Sequence, residues 1–109
     1  MSERPFASAG KASIVKDTVT VQLEGELDHC SADRIRASLD ALIEDQNVKR
    51  LVIDLKKLTF MDSSGIGVII GRYRTLIRRN GSVAVKNPSA AVDRIFQMSG
   101  LYRIIEKCR

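Results

Sequence analysis

Tryptophan is missing from this 109-residue chain and histidine occurs once, so the core has to be built chiefly from aliphatic side chains. Cysteine is sparse as well. Cys30 and Cys108 lie far apart and form no CxxC or Cys/His ligand set, which excludes a zinc motif and leaves two free thiols as the expectation. His29 stands next to Cys30, but two adjacent residues cannot supply a tetrahedral set. No long hydrophobic run occurs. The longest aliphatic stretch, Val68 to Ile70, is closely followed by Arg72 and Arg74 and falls far short of the roughly 20 residues of a membrane span. The opening "MSERPFASAGKAS" lacks the apolar middle of a signal peptide, so a protein made and kept in the cytosol is expected.

What is present suits one soluble domain. Apolar residues at 44% and charged residues at 28% are ordinary globular values, and the length allows one modest core and not two. The net charge of +5 raises the question of nucleic acid or an anionic surface. Basic residues gather at Arg72, Arg74, Arg78 and Arg79, and again at Lys49, Arg50, Lys56 and Lys57. Only Tyr73 is interleaved with them, so no base-stacking platform is visible and a solvated helix face is the simpler reading. A nucleic-acid or anionic-surface role for the Arg72 to Arg79 face stands as the alternative.

Periodicity predicts an α/β fold. Residues 1–12, broken by Pro5 and Gly10, read as a flexible arm, and 13–109 as the domain. Ile14 and Val15, then Val19, Val21 and Leu23 in alternation, predict two strands with a turn near Lys16 to Thr18. Ser31 is the expected N-cap of a helix whose apolar face is Ile35, Leu39, Leu42 and Ile43, running to about Asp45. "LVIDL" reads as a central strand buried on both faces. Ile66, Ile69, Ile70, Tyr73, Leu76 and Ile77 define one stripe of a second helix that stops near Asn80 and Gly81. "SVAVK" is a further strand. Asn87 and Pro88 then supply a cap and first-turn proline for a third helix with Val92, Ile95 and Phe96 inward, ending at Gly100, and a last strand falls around Arg103 to Glu106. The order β-β-α-β-α-β-α-β implies a mixed sheet covered by three to four helices.

Functional interest centres on "TFMDSSGIGVII", where an apolar strand gives way to a helix through Asp62, Ser63, Ser64 and Gly65. Asp62 or Ser63 can cap the first-turn amides, and Gly65 can let the turn pack against the strand end. Glycines at 65, 67 and 71 cost up to about 1 kcal/mol each in a helix interior, a cost that a close approach by the sheet or by another protein would justify. A serine at a helix N-terminus is also a physically good phosphate acceptor, because the helix dipole tolerates the added charge. Catalysis by Ser63 would need His29 folded over it beside Asp28 or Asp62, and the surrounding residues are not a G-x-S-x-G elbow. No phosphate-loop lysine follows the glycines, so no nucleotide cofactor is called for.

Three segments, "GELD" at 25–28, "FMDSSGIGVIIGRY" at 60–73 and "FQMSGLYRII" at 96–105, together resemble the STAS domain family, and within it the sporulation-type anti-sigma factor antagonists. The resemblance implies a non-enzymatic regulator that works by partner switching. Its unmodified form would bind an anti-sigma factor that is also an ATP-dependent serine kinase and so free a sigma factor. Phosphorylation by that kinase would end the binding, and a PP2C-type phosphatase would restore it. The same resemblance implies Ser63 as the acceptor, with Ser64 its neighbour, and assigns partner contact to Glu26, Asp28, Asp62, Ser64, Gly65 and Ile66.

Overall fold

The turn at Lys16 and Asp17 starts the fold. In the computed structural model, described for residues 7–108, Lys16 takes the left-handed conformation (φ 56°) and joins strand β1 (Ser8–Val15) to antiparallel strand β2 (Thr18–Leu27). The Asp17 carbonyl accepts the Lys49 and Arg50 amides at 2.9 and 3.2 Å, which fixes where strand β3 (Arg50–Met61) begins. β3 runs parallel to β2, strand β4 (Ser82–Lys86) parallel to β3, and the short strand β5 (Glu106–Cys108) parallel to β4, in the spatial order β1-β2-β3-β4-β5. Helices α1 (Ala32–Leu42), α2 (Ser63–Ile77) and α3 (Ala90–Ser99) connect the parallel strands, as such pairings require.

Alternation along the strands makes one face of the sheet apolar. Val19, Val21, Leu23, Leu51, Ile53, Leu55, Val83 and Val85 are all buried in one cluster with Ile35 and Leu39 of α1, Val68, Ile69 and Leu76 of α2, and Val92 and Phe96 of α3. Fully burying a side chain such as Phe96 contributes about 2–3 kcal/mol. The opposite face carries polar side chains tied to each other. Arg50 donates to Ser82 and forms a two-bonded pair with Glu106, while Gln22 and Asn87 both donate to Asp54. "LVIDL" is therefore a central strand, but its second face is polar, with only Val52 buried there outside the main cluster.

Several local expectations shift. The first strand begins at Ser8, so residues 8–12, read from sequence as part of a flexible arm, pair with β2; residues 1–6 lie outside the described residues. The helical stripe of α2 is rotated from the expected one: Gly65, Val68, Ile69, Arg72 and Leu76 are buried, and Ile77 is exposed. Asn87 does not cap α3. It takes a left-handed turn (φ 58°) and bonds Asp54, and Ser89 instead accepts the Val92 amide at 3.2 Å. Gly100, left-handed at φ 76°, ends α3 as expected, but a 3₁₀ turn (Leu101–Arg103) follows it, which delays the last strand to Glu106.

The three glycines of α2 divide cleanly. A methyl on Gly65 would lie 2.5 Å from Met61 Cγ and 3.1 Å from Leu27, so this position needs its missing side chain for the helix to sit on the strand ends. Nothing lies within 4 Å of a methyl on Gly67 or Gly71, so neither lines a contact with the sheet. Gly65→Ala is expected to destabilise the fold by about 1–3 kcal/mol through overpacking. Gly67→Ala is expected to stabilise it by about 0.5–1 kcal/mol. Urea denaturation of the two variants checks the pair of opposite signs.

Candidate functional site

Parallel pairing puts Glu26 beside Phe60 and Leu27 beside Met61, so the loops leaving β2 and β3 emerge side by side at the carboxyl edge of the sheet. The Asp62 amide donates to the Leu27 carbonyl at 3.2 Å and closes the two loops together. Asp62, in extended conformation, is the N-cap of α2: its Oδ1 accepts the Ser64 amide at 2.8 Å, and its carbonyl accepts the Gly65 amide at 3.0 Å. The capping role foreseen for Asp62 or Ser63 thus falls to Asp62. Ser63, the first helical residue, is exposed, and among the described residues its hydroxyl has no hydrogen-bond partner. Ser64 is half-buried, Gly65 is buried under the turn, and Ile66 is half-buried beside the core.

The neighbouring loop is held by Asp28 and Ser31. Asp28 is only 5% exposed, and its Oδ1 accepts the amides of Cys30 and Ser31 at 2.9 and 3.1 Å. Ser31 occupies the N-cap position of α1 without making a side-chain cap; its hydroxyl accepts the Asp28 amide and donates to the Glu26 carbonyl at 2.9 Å. Asp28 therefore shapes the loop from inside it, and Glu26 is the more accessible of the two acids. His29 and Cys30 are exposed, with the imidazole Nε2 and the thiol 3.4 Å apart. Asp28 Oδ1 is engaged by two backbone amides.

The basic cluster on α2 is largely used inside the fold. Arg72 is 7% exposed, with Nε 3.1 Å from Asp40 Oδ1 on α1, and burial lowers its pKa while Asp40 opposes that shift. The contact is an ion pair by distance: among the described residues neither Nε nor Nη1 makes a hydrogen bond. Arg79 Nη1 donates to the carbonyls of Ile43, Asp45 and Val48 at 2.9, 3.1 and 3.1 Å, closing the C-terminal end of α1. Arg74 and Arg78 are left exposed, too few to make the expected solvated basic face.

Sequence reasoning missed one element of the site. A groove of about 380 Å³ runs between the first turn of α2 and α3, lined by Asp62, Ser63, Ile66, Ile95, Met98 and Ser99. The α3 residues lie some thirty positions from the hinge; Met98 and Ser99 were marked only by their place in the "FQMSGLYRII" segment, and Ile95 only as an inward residue of the third helix. α3 is anchored through Asp93, whose carboxylate accepts from the Tyr102 hydroxyl, from Gln97 Nε2 at 2.8 Å and from Lys107 Nζ at 2.9 Å.

A one-sided mixed sheet here displays an exposed hydroxyl at a helix N-terminus, beside the loop that carries Glu26 and Asp28, at the carboxyl edge of its strands. The chain belongs to the STAS domain family, whose model matches residues 11–109. It is 41% identical, over 83% of its length and 77% of the relative's, to the anti-sigma F factor antagonist of Paenibacillus polymyxa. It superposes with a TM-score of 0.79 on the anti-sigma factor antagonist SpoIIAA in its unphosphorylated form, at 34% identity over 94% of this chain and 89% of that one. The TM-score against the Bacillus cell fate determinant SpoIIAA in the phosphorylated form is 0.71, at 33% identity over 94% and 92% of the two chains. Among the described residues no helix is long and apolar enough to cross a membrane.

The hydrogen bonds at Asp93, that from Tyr102 first, hold its carboxyl below the ordinary value of 3.8. A depressed folded value means that the unfolded chain binds the proton more readily, so this anchor's contribution is fully present above pH 3.8 and is lost as pH falls through the lower folded value. The difference in urea midpoint between wild type and Tyr102→Phe is therefore expected to be constant above about pH 5 and to shrink on acidification below pH 4. A difference that does not change with pH would show that the hydrogen bond does not favour the charged carboxylate.

Proposed function

We propose that this protein is a cytosolic, non-enzymatic anti-sigma factor antagonist that works by partner switching. In its unmodified state it binds an anti-sigma factor that is also an ATP-dependent serine kinase, and a sigma factor is freed. Transfer of phosphate to Ser63 ends the binding, and a PP2C-type phosphatase restores it. The observation that carries the reading is the exposed, unengaged hydroxyl of Ser63 at the first position of α2, next to an aspartate that already does the capping. The relatives' names and the two phosphorylation forms of SpoIIAA support it.

The physics of such a switch needs no refolding. Ser63 takes no part in the cap, so a phosphate there leaves the Asp62–Ser64 bond intact and meets the positive end of the helix dipole. The same phosphate adds about −1.5 to −2 charge beside Asp62 and the Glu26 loop. A partner surface complementary to those acids, basic and desolvated on docking, could absorb an extra charge only if it were not also sterically displaced; the added bulk at the helix start is what breaks the fit. Glu26, Asp62, Ser64 and Ile66 offer the contact surface in this account, with Gly65 setting the helix position and Asp28 holding the loop. A nucleic-acid role is disfavoured by the internal use of Arg72 and Arg79.

Incubation with ATP and the source organism's anti-sigma kinase, followed by intact-mass and site mapping, is expected to place one phosphate on wild type at Ser63 and none on Ser63→Ala. Ser63→Ala should keep wild-type affinity for the kinase, and Ser63→Asp should lose at least about tenfold, or 1.4 kcal/mol. Phosphate at Ser64 alone, or unchanged affinity of Ser63→Asp, would sink the reading.

A further inference from the structure

β1 has β2 on one side, and among the described residues no strand lies on the other. Edge strands are usually blunted by charge, proline or a bulge. Here the register shift falls between Ala9 and Ala12 and the strand's one charge is Lys11, so the run from Ala12 to Val15 is regular and carries none of these devices. All four residues are exposed, Ile14 at 62% and Val15 at 68%. The hairpin fixes which of their backbone groups point outward. Its loop is Lys16 and Asp17 alone, so the closing pair, Val15 and Thr18, exchanges hydrogen bonds, and in antiparallel pairing such pairs alternate with open ones. Ser13, opposite Thr20, is again bonded to β2. Ile14, opposite Val19, and Ala12, opposite Val21, turn their amides and carbonyls away from β2.

We propose that this edge pairs with β1 of a second copy, antiparallel, about a two-fold axis through Ser13. In that register Ala12 of each copy meets Ile14 of the other, and every outward amide and carbonyl of the two residues finds a partner. Ala12 and Ile14 share the helix-covered face with Val21 and Val19, so each Ile14 packs over the small Ala12 of its partner and extends the core across the junction. On the open face, where Lys11 and Ser13 lie, the Lys11 stem covers the partner's Val15 and leaves its charge in water. Other registers fit less well. A shift of the axis to between Ser13 and Ile14 sets Lys11 against Lys16 and outward groups against inward ones, and an axis at Ile14 brings the left-handed Lys16 into the pairing. This self-complementarity is what favours a second copy over an unrelated strand. The contact lies toward the amino ends of β2 and β3, and the Asp62–Ser63 turn lies at their carboxyl end, so pairing leaves both Ser63 hydroxyls open.

The test is sedimentation equilibrium of the full chain from about 10 to 500 μM, with wild type, Ser13→Lys, Ser13→Glu and an equal mixture of the two variants. Salt at about 0.15 M screens the repulsion between two chains of net charge +5. Ser13 is exposed, so both variants are expected to melt as wild type does, which circular dichroism checks. Wild type is expected to show a monomer–dimer equilibrium. Each variant sets like charges directly opposite at the axis and should dimerise at least about tenfold more weakly, while the mixture, with Lys opposite Glu, should recover to within about threefold of wild type. Amide exchange read by NMR should slow at Ala12 and Ile14 as wild-type concentration rises and stay constant at Ser13 and Val15, whose amides β2 already holds. Wild type that stays monomeric over the whole range, a dimer that both Ser13 variants leave untouched, or mass that grows past the dimer, as open stacking of edges would give, each overturns the proposal.

Discussion

The close contact of Gly65 with Met61 and Leu27 is what the working end of this molecule depends on. Those two buried side chains are partners in the β2/β3 register, and they close the apolar face at the carboxyl edge of the sheet. A helix with any side chain at 65 would have to lift off them. Because it does not, the Asp62 amide reaches the Leu27 carbonyl and the Asp62 carboxylate reaches the Ser64 amide. Ser63 is then the first residue free of all these duties.

A division of labour follows along five residues of chain. Asp62 satisfies the helix terminus, Gly65 satisfies packing, and Ile66 extends the core outward to the groove. Ser63 is spared. The loop from β2 shows the same economy, with Asp28 and Ser31 turned inward to hold the backbone and Glu26 left more accessible. Added charge at Ser63 would leave the fold unchanged, because the groups that stabilise this turn are Asp62 and Gly65. The open glycines at 67 and 71 sit on the same helix, outside any contact with the sheet, and leave its outer surface smooth.

The basic surplus of the chain turns out to be partly architectural. Arg79 serves as a donor to three carbonyls at the end of α1, Arg72 pairs with Asp40 between α1 and α2, and Arg50 bridges β3 to β5 through Glu106. Guanidinium groups suit these roles because each carries several donors in a fixed plane. Composition alone counts such residues as surface charge. Their positions show that a good part of it spans element junctions.

Local chemistry determined the element order, the turn at Lys16, the strand character of "LVIDL" and "SVAVK", the stop at Gly100 and the hinge at Asp62 to Gly65. Each of these follows from interactions within a few residues: alternation, a cap, a left-handed glycine. What the sequence could not decide is which groups meet across the fold. The α2 stripe was misjudged because a buried arginine and a buried glycine are invisible to a count of apolar residues, and packing against α1 and the strand ends chose the rotation. Ser31 and Asn87 looked like helix caps, but Ser31 is claimed by its own loop, at Glu26 and Asp28, and Asn87 by a long-range hydrogen bond to Asp54. The groove between α2 and α3 is wholly tertiary. Residues 62–66 and 95–99 share no local pattern, and only the packing of both helices on one apolar sheet face brings Met98 beside Ser63.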